Sequence, residues 1–352
     1  MQLMWQKFKR HKLAIVGSVI LIFLYTTAIF ANFLTPYSKS ERFSKYAYTQ
    51  PSAIHMIAED GSLHRPFVYG VTSRRDPETL LKIYTEDTSV IYPIRFFVRG
   101  SKYDFLGFIP SDLHLFGVDS PAQIFIFGTD SIGRDLFTRT FHGAQLSLTI
   151  GLIGVSLSFL IGITLGGISG YFGGIVDTLI QRFIEILIAI PTIPLWIALS
   201  TALPRTWSVT QIYFSIVIIL SLVGWVGLAR VVRGKFLELR ELDYVLAARV
   251  SGVSEFTIIR KHLLPNFASY LIVYVTLAIP GVILGETALS FLGLGLRSPA
   301  VSWGVLLEKS QNIQSVAIYW WSIIPAIFVI LTVLAFNFVG DGLRDAADPY
   351  KK

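Results

Sequence analysis

Six long apolar runs limit what this chain can fold into more than any other feature. They cover residues 13–33, 146–170, 183–203, 212–229, 267–296 and 319–339. A helix needs about 20 mostly apolar residues to cross a hydrocarbon layer of roughly 30 Å. Only 15% of the 352 residues are charged, against about 25% in a soluble domain. The sequence therefore predicts an all-α polytopic membrane protein with six spans.

Prolines interrupt three of these runs: Pro191 and Pro194 the third, Pro280 the fifth and Pro325 the sixth. In a membrane, neighbouring helices can satisfy the backbone groups that proline frees. We therefore expect kinked helices and not broken ones. The first run is longer than the core of a signal peptide, about 7–15 residues, and it predicts a retained signal-anchor helix.

Basic residues near the runs predict the orientation. The first run follows Lys7, Lys9, Arg10 and Lys12, and residues 230–261, between runs four and five, are also rich in Lys and Arg. Such segments lie in the cytoplasm. We therefore expect a multi-pass protein of the cytoplasmic (inner) membrane. Because the number of spans is even, both termini should lie on the cytoplasmic side. The net charge of +7 follows from this topology, and we expect the lipid bilayer and no nucleic acid as a partner.

Residues 34–127 differ from the rest of the chain. Aromatic and β-branched runs at 89–98 and 123–127 alternate with Pro, Gly and Asp. This pattern predicts a small β-rich domain outside the membrane. Docking of an external partner, shielding of a pore mouth, and simple packing on the helices remain open as its role.

A stripe of small residues marks the second run. Its members recur every four residues: Gly154, Ser158, Gly162, Gly166, Gly170 and Gly174. Small residues at this spacing let helix backbones approach closely in lipid. We predict that this helix packs inside a bundle.

The cytoplasmic stretch 243–266 predicts two short helices joined by a bend. Asp243 is a good N-cap for the first helix, and Gly252 is placed to end it in the left-handed region. Ser254 is a candidate cap for the second, and Pro265 is expected to end it. The apolar residues Val245, Leu246, Val250, Ile258, Ile259 and Leu263 are too many for so short a hairpin to bury. The pattern fits either an ordinary hairpin or a segment that docks on a partner.

These residues resemble the EAA loop of ABC importer permeases, which has an acidic residue, two alanines and a glycine. Here they are Asp243, Ala247, Ala248 and Gly252, followed by Ile258, Ile259, His262, Leu264, Pro265 and Asn266. Segments 128–135, 170–174, 286–297, 302–304 and 338–349 resemble the C-type permease subunits of the dipeptide/oligopeptide/nickel transport family. The likeness covers residues 128–350 and the first helix. Asp243 stands where many members have Glu.

The resemblance implies a six-helix type I importer bundle, like that of the methionine importer. It implies four segments: 1–33 with the first helix, the insertion 34–127, a permease core 128–340 containing the coupling loop 233–266, and a cytoplasmic tail 341–352. The residues expected to couple to ATPases are Asp243, Ala247, Ala248, Gly252, Ile259, His262 and Pro265.

The implied partners are a homologous second permease subunit, two cytoplasmic ATPase subunits and an extracytoplasmic substrate-binding protein. ATP and Mg would be used by the ATPases, with no cofactor and no metal on this chain. No phosphate-binding G-x-x-x-x-G-K-[ST], H-E-x-x-H or G-x-S-x-G motif occurs in the sequence, and these motifs carry nucleotide, zinc and acyl-transfer chemistry. We expect a transporter subunit without catalytic residues.

Two single residues have alternative interpretations. His262 has no second His or Cys at ligand spacing, which favours a structural or docking role over a metal site. Glu286 is a carboxylate inside a predicted span. It either lies on the translocation path or forms a buried hydrogen bond to a neighbouring helix.

The expected cargo is dipeptides or oligopeptides, with nickel or oligosaccharides as alternatives for the same machinery. A membrane-anchored receptor would need a folded signalling domain inside, and only short segments are available there. An intramembrane enzyme would need a catalytic pair at membrane depth, whereas the runs contain no histidine. A self-sufficient channel remains a weaker alternative.

Overall fold

A computed structural model describes residues 2–78, 81–105 and 107–347, with the side chains of Gln2 and Leu3 left aside. The last predicted tail residues, 348–352, lie outside this range. The chain forms two compact units. The first, here the helical unit, is Met1–Ile22, Ser147–Leu296 and Val329–Lys352. The second, here the β-containing unit, is Phe23–Leu146 and Arg297–Phe328.

The described residues are mostly helical. The helices are α1 (Gln2–Arg10), α2 (Lys12–Ile29), α3 (Ala31–Leu34), α4 (Leu136–Phe172), α5 (Gly174–Ala189), α6 (Thr192–Thr201), α7 (Val209–Gly224), α8 (Val226–Leu239), α9 (Asp243–Val250), α10 (Glu255–Ile258), α11 (Ala268–Phe291), α12 (Trp303–Leu307), α13 (Ile313–Ile318) and α14 (Ile324–Ala347). Among them, four helical stretches are long and apolar enough to cross a membrane, or up to six if two bent pairs count as single spans.

Proline acts differently at each predicted kink. Pro280 lies inside α11, as expected. Pro191 is the N-cap of α6, and α5 and α6 meet there at 83°, so the third run is broken and the expectation of a kink is wrong. Pro325 lies in the first turn of α14 and starts a helix instead of bending one. Proline is tolerated in a first turn because that turn's N–H groups have no intrahelical partner.

Pro265 does not end a helix, contrary to the sequence-based expectation. It lies in a 3₁₀ turn, Leu264–Phe267, which joins the π-helical turn Ile259–Leu263 to α11. The helical path is continuous from Glu255 to Phe291. Pro265 stands in the first positions of the 3₁₀ turn, where proline is tolerated, and the Asn266 amide donates to the carbonyl of His262 in the preceding turn.

The predicted strands are present in the insertion. Strands β1 (His55–Ile57), β2 (Leu63–Arg75) and β3 (Lys82–Pro93) form an antiparallel sheet in that order. Strands β4 (Arg95–Phe105) and β5 (Ile109–Gly117) form a separate antiparallel hairpin. The run 89–98 therefore spans the end of β3 and the start of β4.

The run 123–127 is not a strand, and that expectation is wrong. Ile124 and Phe125 are each 1% exposed. Their N–H groups donate to the Tyr37 hydroxyl (2.8 Å) and the Ser52 hydroxyl (2.9 Å). Because side chains satisfy this backbone, the buried segment needs no neighbouring strand.

Polar side chains brace the β-containing unit near the start of α4. The Asp130 carboxylate accepts from Arg134 Nε (2.7 Å) and from Arg139 (2.6 Å), whose side chain is only 4% exposed. Asp135, just before α4, accepts from the Thr138 N–H (2.8 Å) and hydroxyl (2.6 Å). The buried Trp303 donates its indole N–H to the carbonyl of Thr140 (3.0 Å).

Close backbone packing holds the helical unit together. The glycine stripe of α4 lies against α8, where a Cβ added to Gly162, Gly166 or Gly170 would collide with successive turns. The α8 groups that it would meet belong to Trp225, Leu228, Ala229, Arg233 and Phe236. Gly154 lies against Val282 of α11. Gly174 falls outside the stripe, since it is the first residue of α5, with a φ of +59° and open space around it.

Candidate functional site

The coupling segment, residues 243–266, has the predicted helix–bend–helix form in the structure. Helix α9 ends at Val250, and Gly252 adopts a φ of +73°. The Gly252 N–H donates to the Arg249 carbonyl (3.0 Å), and the Val253 N–H donates to the Ala248 carbonyl (3.1 Å). These two bonds satisfy carbonyl groups in the last turn of α9. A left-handed residue at this place favours glycine, which is what the sequence indicated.

The helix caps in the structure differ from those predicted from the sequence. Asp243 is the first residue of α9, and the N-cap position belongs to Leu242, which has no side-chain cap. Asp243 is exposed and acidic in the first turn, where a negative charge favours the helix dipole. Ser254 does stand at the N-cap of α10, but its hydroxyl contacts the Thr257 hydroxyl (2.8 Å) and no backbone N–H.

One side of the coupling segment is anchored in the core of the helical unit. Val245, Ile258 and Leu263 are fully buried. They belong to one apolar cluster with Tyr171, Leu228, Val232, Phe236, Phe267 and Leu271. Burying a side chain of this size contributes about 1.5–3 kcal/mol. The segment is therefore fixed to α4, α8 and α11.

The other side leaves large apolar groups uncovered. Val250 is 89% exposed and Phe256 72% exposed, with Leu242 at 42% and Leu246 at 38%. Ala247 and Gly252 are exposed beside them. We call Leu242, Leu246, Val250 and Phe256 the apolar edge. Phe256 was not singled out from the sequence, and no local signal distinguishes it from the fully buried Ile258 two residues further on.

The remaining predicted coupling residues lie behind this edge. Ile259 and His262 are half-buried in the π turn, and Pro265 is exposed. The Asn266 amide donates to the Tyr244 hydroxyl and to the His262 carbonyl, both at 2.7 Å. This amide ties the end of the segment back to α9.

A polar brace joins the base of this region to the neighbouring helices. The Arg233 guanidinium donates Nε (2.5 Å) and Nη2 (2.6 Å) to the two carboxylate oxygens of Asp177. Arg240 donates to the carbonyls of Gly170 and Tyr171, each at 3.1 Å. A bidentate pair fixes orientation as well as distance. The sequence did not predict these pairings, because the partners are about 60 residues apart.

Glu286 is fully buried in α11. The Ser290 hydroxyl donates to its carboxylate (2.7 Å), and the same hydroxyl accepts from the Leu296 N–H (2.9 Å). The carboxylate is thus bonded to a group that organises the end of α11. Both predicted roles, translocation path and structural bond, remain predictions.

Known proteins resemble this chain along most of its length. The family described as "Binding-protein-dependent transport system inner membrane component" matches residues 162–352. The "N-terminal TM domain of oligopeptide transport permease C" matches residues 1–51. The dipeptide transport system permease protein DppC of Bacillus subtilis (strain 168) is 34% identical over 98% of this chain and 84% of its own length.

Two further similarities cover less of the chain. The oligopeptide transport system permease protein OppC of Haemophilus influenzae is 46% identical over 63% of this chain and 70% of its own length. A structure of the inward-facing MetNI methionine ABC transporter covers 60% of this chain and 97% of the matched chain, at 18% identity and a TM-score of 0.43.

The apolar helices define a multi-pass membrane protein with a small strand-containing insertion. The chain belongs to the family of inner-membrane components of binding-protein-dependent transport systems, and it resembles the permease C proteins of dipeptide and oligopeptide transport. Its family consists of transporter permeases and not of enzymes.

Proposed function

We propose that this chain is the C-type permease subunit of an ATP-driven importer for dipeptides or oligopeptides. Its relatives of 34% and 46% identity are permeases of dipeptide and oligopeptide transport. In this proposal the two bent helix pairs each form one span, which gives six. Both termini and the coupling segment lie in the cytoplasm, and the insertion lies outside.

The apolar edge is the observation that carries the coupling role. Four large apolar side chains are exposed, three in the segment and Leu242 directly before it, whereas Val245, Ile258 and Leu263 of the same segment are fully buried. An exposed apolar patch next to polar residues is typical of a protein–protein contact. The partner is a cytoplasmic ATPase subunit, whose groove receives Val250 and Phe256.

Rigidity explains how such a contact transmits motion. The buried residues Val245, Ile258 and Leu263 fix the segment to its own helices, and the Asp177–Arg233 pair joins α5 to α8, on which the segment packs. A displacement of the ATPase therefore moves the helices as well. For ATP to drive a cycle, the ATPase pair must bind one permease conformation more tightly than the other.

The complete importer contains this chain, a homologous second permease, two ATPase subunits that use ATP and Mg, and an extracytoplasmic substrate-binding protein. The coupling residues are Asp243, Ala247, Ala248, Gly252, Ile259, His262 and Pro265. This chain contributes the membrane path and the coupling surface.

Gly252 offers a sharp test. A Cβ at this position meets nothing within 4 Å, but φ is +73°, so a substitution strains the backbone without a clash. Asn tolerates the left-handed region and Val does not. We expect Gly252→Val to abolish ATPase co-purification and peptide uptake, and Gly252→Asn to retain most of both. Equal retention by the two variants would refute the coupling role.

The cargo is tested separately, by uptake of labelled dipeptides, oligopeptides, nickel and an oligosaccharide through the complete importer. Saturable, ATP-dependent uptake of peptides alone supports the proposal. Uptake of nickel or sugar in place of peptides would keep the machinery and change the substrate.

A further inference from the structure

The tip of the β4–β5 hairpin has an unusual composition for a loop. Residues 105–110 read FLGFIP and contain no charge, whereas Asp104 and Ser111–Asp112 flank them. Loops that face water are normally built from polar residues with Gly or Pro. Gly107 makes the turn with a φ of +84°, and residue 106 lies outside the described residues.

The tip side chains are uncovered in the structure. Phe108 is 72% exposed and Ile109 47% exposed. The polar residues begin one pair further from the tip, where Asp104 pairs with Pro110 and Tyr103 with Ser111 in the strand register. The tip is thus separated by Asp104, Lys102 and Ser111 from the other exposed aromatic residues of the hairpin, Phe96 and Phe97, which lie at its open end.

Contacts with the end of the first span fix the direction of the hairpin. Its middle lies beside residues 35–41, where His114 Nδ1 donates to the Thr35 carbonyl (2.6 Å) and the Ser101 hydroxyl donates to Glu41 (2.7 Å). Nearer the tip, the ring of Phe105 lies 5.7 Å from the ring of Phe30. Phe97, at the open end, also lies near the apolar run, with its ring 6.4 Å from that of Phe33, but Phe105 at the tip contacts the residue that lies earlier in this run.

This direction places the tip level with the last turns of the span. Phe30 belongs to the apolar run 13–33, and Phe23 (56% exposed), Ile29 (53%) and Phe30 (37%) are exposed apolar side chains there. A spanning helix has lipid against such side chains. Ile109 lies opposite Phe105 in the strand register, and Phe108 lies in the turn between them.

We propose that the described tip residues, Phe105 and 107–110, insert into the lipid interface beside the end of α2 and anchor the insertion to the membrane surface. The occupant of the apolar tip is lipid, because the exposed apolar side chains of the span continue onto it through the Phe30–Phe105 contact. Aromatic side chains are enriched at this depth of a bilayer. The charged residues Lys102 and Asp104 stay in the headgroup layer or in water.

The absence of cysteine from the sequence allows a direct measurement. Phe108→Cys carries a single nitroxide label, in the complete transporter reconstituted in bilayer nanodiscs. Electron paramagnetic resonance then measures collisions with oxygen, which dissolves in lipid, and with a water-soluble nickel chelate. We expect label 108 to collide with oxygen more than with the chelate.

Lys102→Cys is the matched control on the same hairpin, since Lys102 is exposed and lies on the polar side of the boundary. Its label should favour the chelate. Equal preference for the chelate at both positions would overturn the proposal. A label at 108 that is shielded from both reagents would also overturn it, because a protein partner would then cover the tip. Peptide uptake by each variant checks that the labelled chains are folded.

Discussion

The two units are stabilised by different means. In the helical unit, the glycine stripe lets the backbone of α4 touch the backbone of α8. In the β-containing unit, buried polar side chains such as Asp130, Arg139 and Asp135 bond to one another and to the backbone. Helices in lipid gain little from apolar contact and rely on close packing, whereas irregular chain needs partners for its backbone and polar groups. The different means of stabilisation therefore reflect the different surroundings of the two units.

Loss of Asp130 is expected to have the largest effect. Asp130→Ala leaves the Arg139 guanidinium buried without its carboxylate, and breaking a buried pair costs about 3–5 kcal/mol. Asp119→Ala is the control, since its pair with Arg95 is 53% and 63% exposed and contributes little. Protease sensitivity of the insertion, measured against denaturant, reports the effect. Similar sensitivity of the two variants would contradict the stabilising role assigned to the Asp130–Arg139 pair.

Gly166→Ala tests the packing of the helical unit. The added Cβ meets the backbone of Ala229, and overpacking of this kind costs about 1–3 kcal/mol. At Gly234, on α8, a Cβ meets nothing within 4 Å. Gly234→Ala should be stabilising by up to about 1 kcal/mol through helix propensity. Thermal unfolding in detergent separates the two, and a tolerated Gly166→Ala would mean that α4 and α8 do not need their close contact.

The same substitution, Val to Asp, can be made at an exposed valine in each unit to compare their contributions to ATPase binding. On the apolar edge, the charge introduced by Val250→Asp should weaken ATPase association about tenfold, or roughly 1.4 kcal/mol. Val90→Asp places the same charge on β3, where Val90 is 45% exposed, and should leave association unchanged. Pull-down of the ATPase with each variant gives the ratio. An unchanged ratio would exclude Val250 from the contact.

A pH dependence near neutrality is expected in the β-containing unit, because of Asp135. Burial raises the pKa of the Asp135 carboxyl to about 7, above its value in the unfolded chain. The folded state then holds the proton more tightly, so its stability is greatest at low pH and falls as the pH rises towards 7. Between pH 6 and pH 7 the loss is about 1 kcal/mol. The free energy of unfolding of the wild type should fall relative to that of Asp135→Asn as the pH rises from 5 to 8, and this difference is the readout, because all other titrating groups are common to both chains.

Hydropathy predicted where the helices lie, because lipid imposes a minimum length, but it did not separate kinks from breaks. Pro191 and Pro280 look alike in the sequence. Pro280 is buried and its helix continues, whereas Pro191 is exposed and its helix stops. Whether a freed carbonyl finds another donor depends on tertiary neighbours, which local sequence does not specify.

The coupling segment was likewise predictable only in part. Gly252 was predictable because a positive φ has few tolerated residues. The exposure of Phe256 was not, since Ile258, two residues further on, is fully buried. On so short a helix, the choice of buried side is made by α8 and α11. The division of the insertion into a sheet and a separate hairpin likewise depends on contacts distant in sequence.

Hydrocarbon has no donor for a carbonyl oxygen. At the junction of α5 and α6, the ladder of backbone bonds is interrupted at Ile190 and Pro191, both of them exposed. In the six-span topology proposed above this junction lies in the bilayer, so the free carbonyls at the end of α5 would need water or a second subunit, because lipid cannot bond them. No charged side chain occurs between Glu185 and Arg205. In that topology, the break between α5 and α6 would place backbone carbonyl groups in the bilayer without the cost of burying a charged side chain.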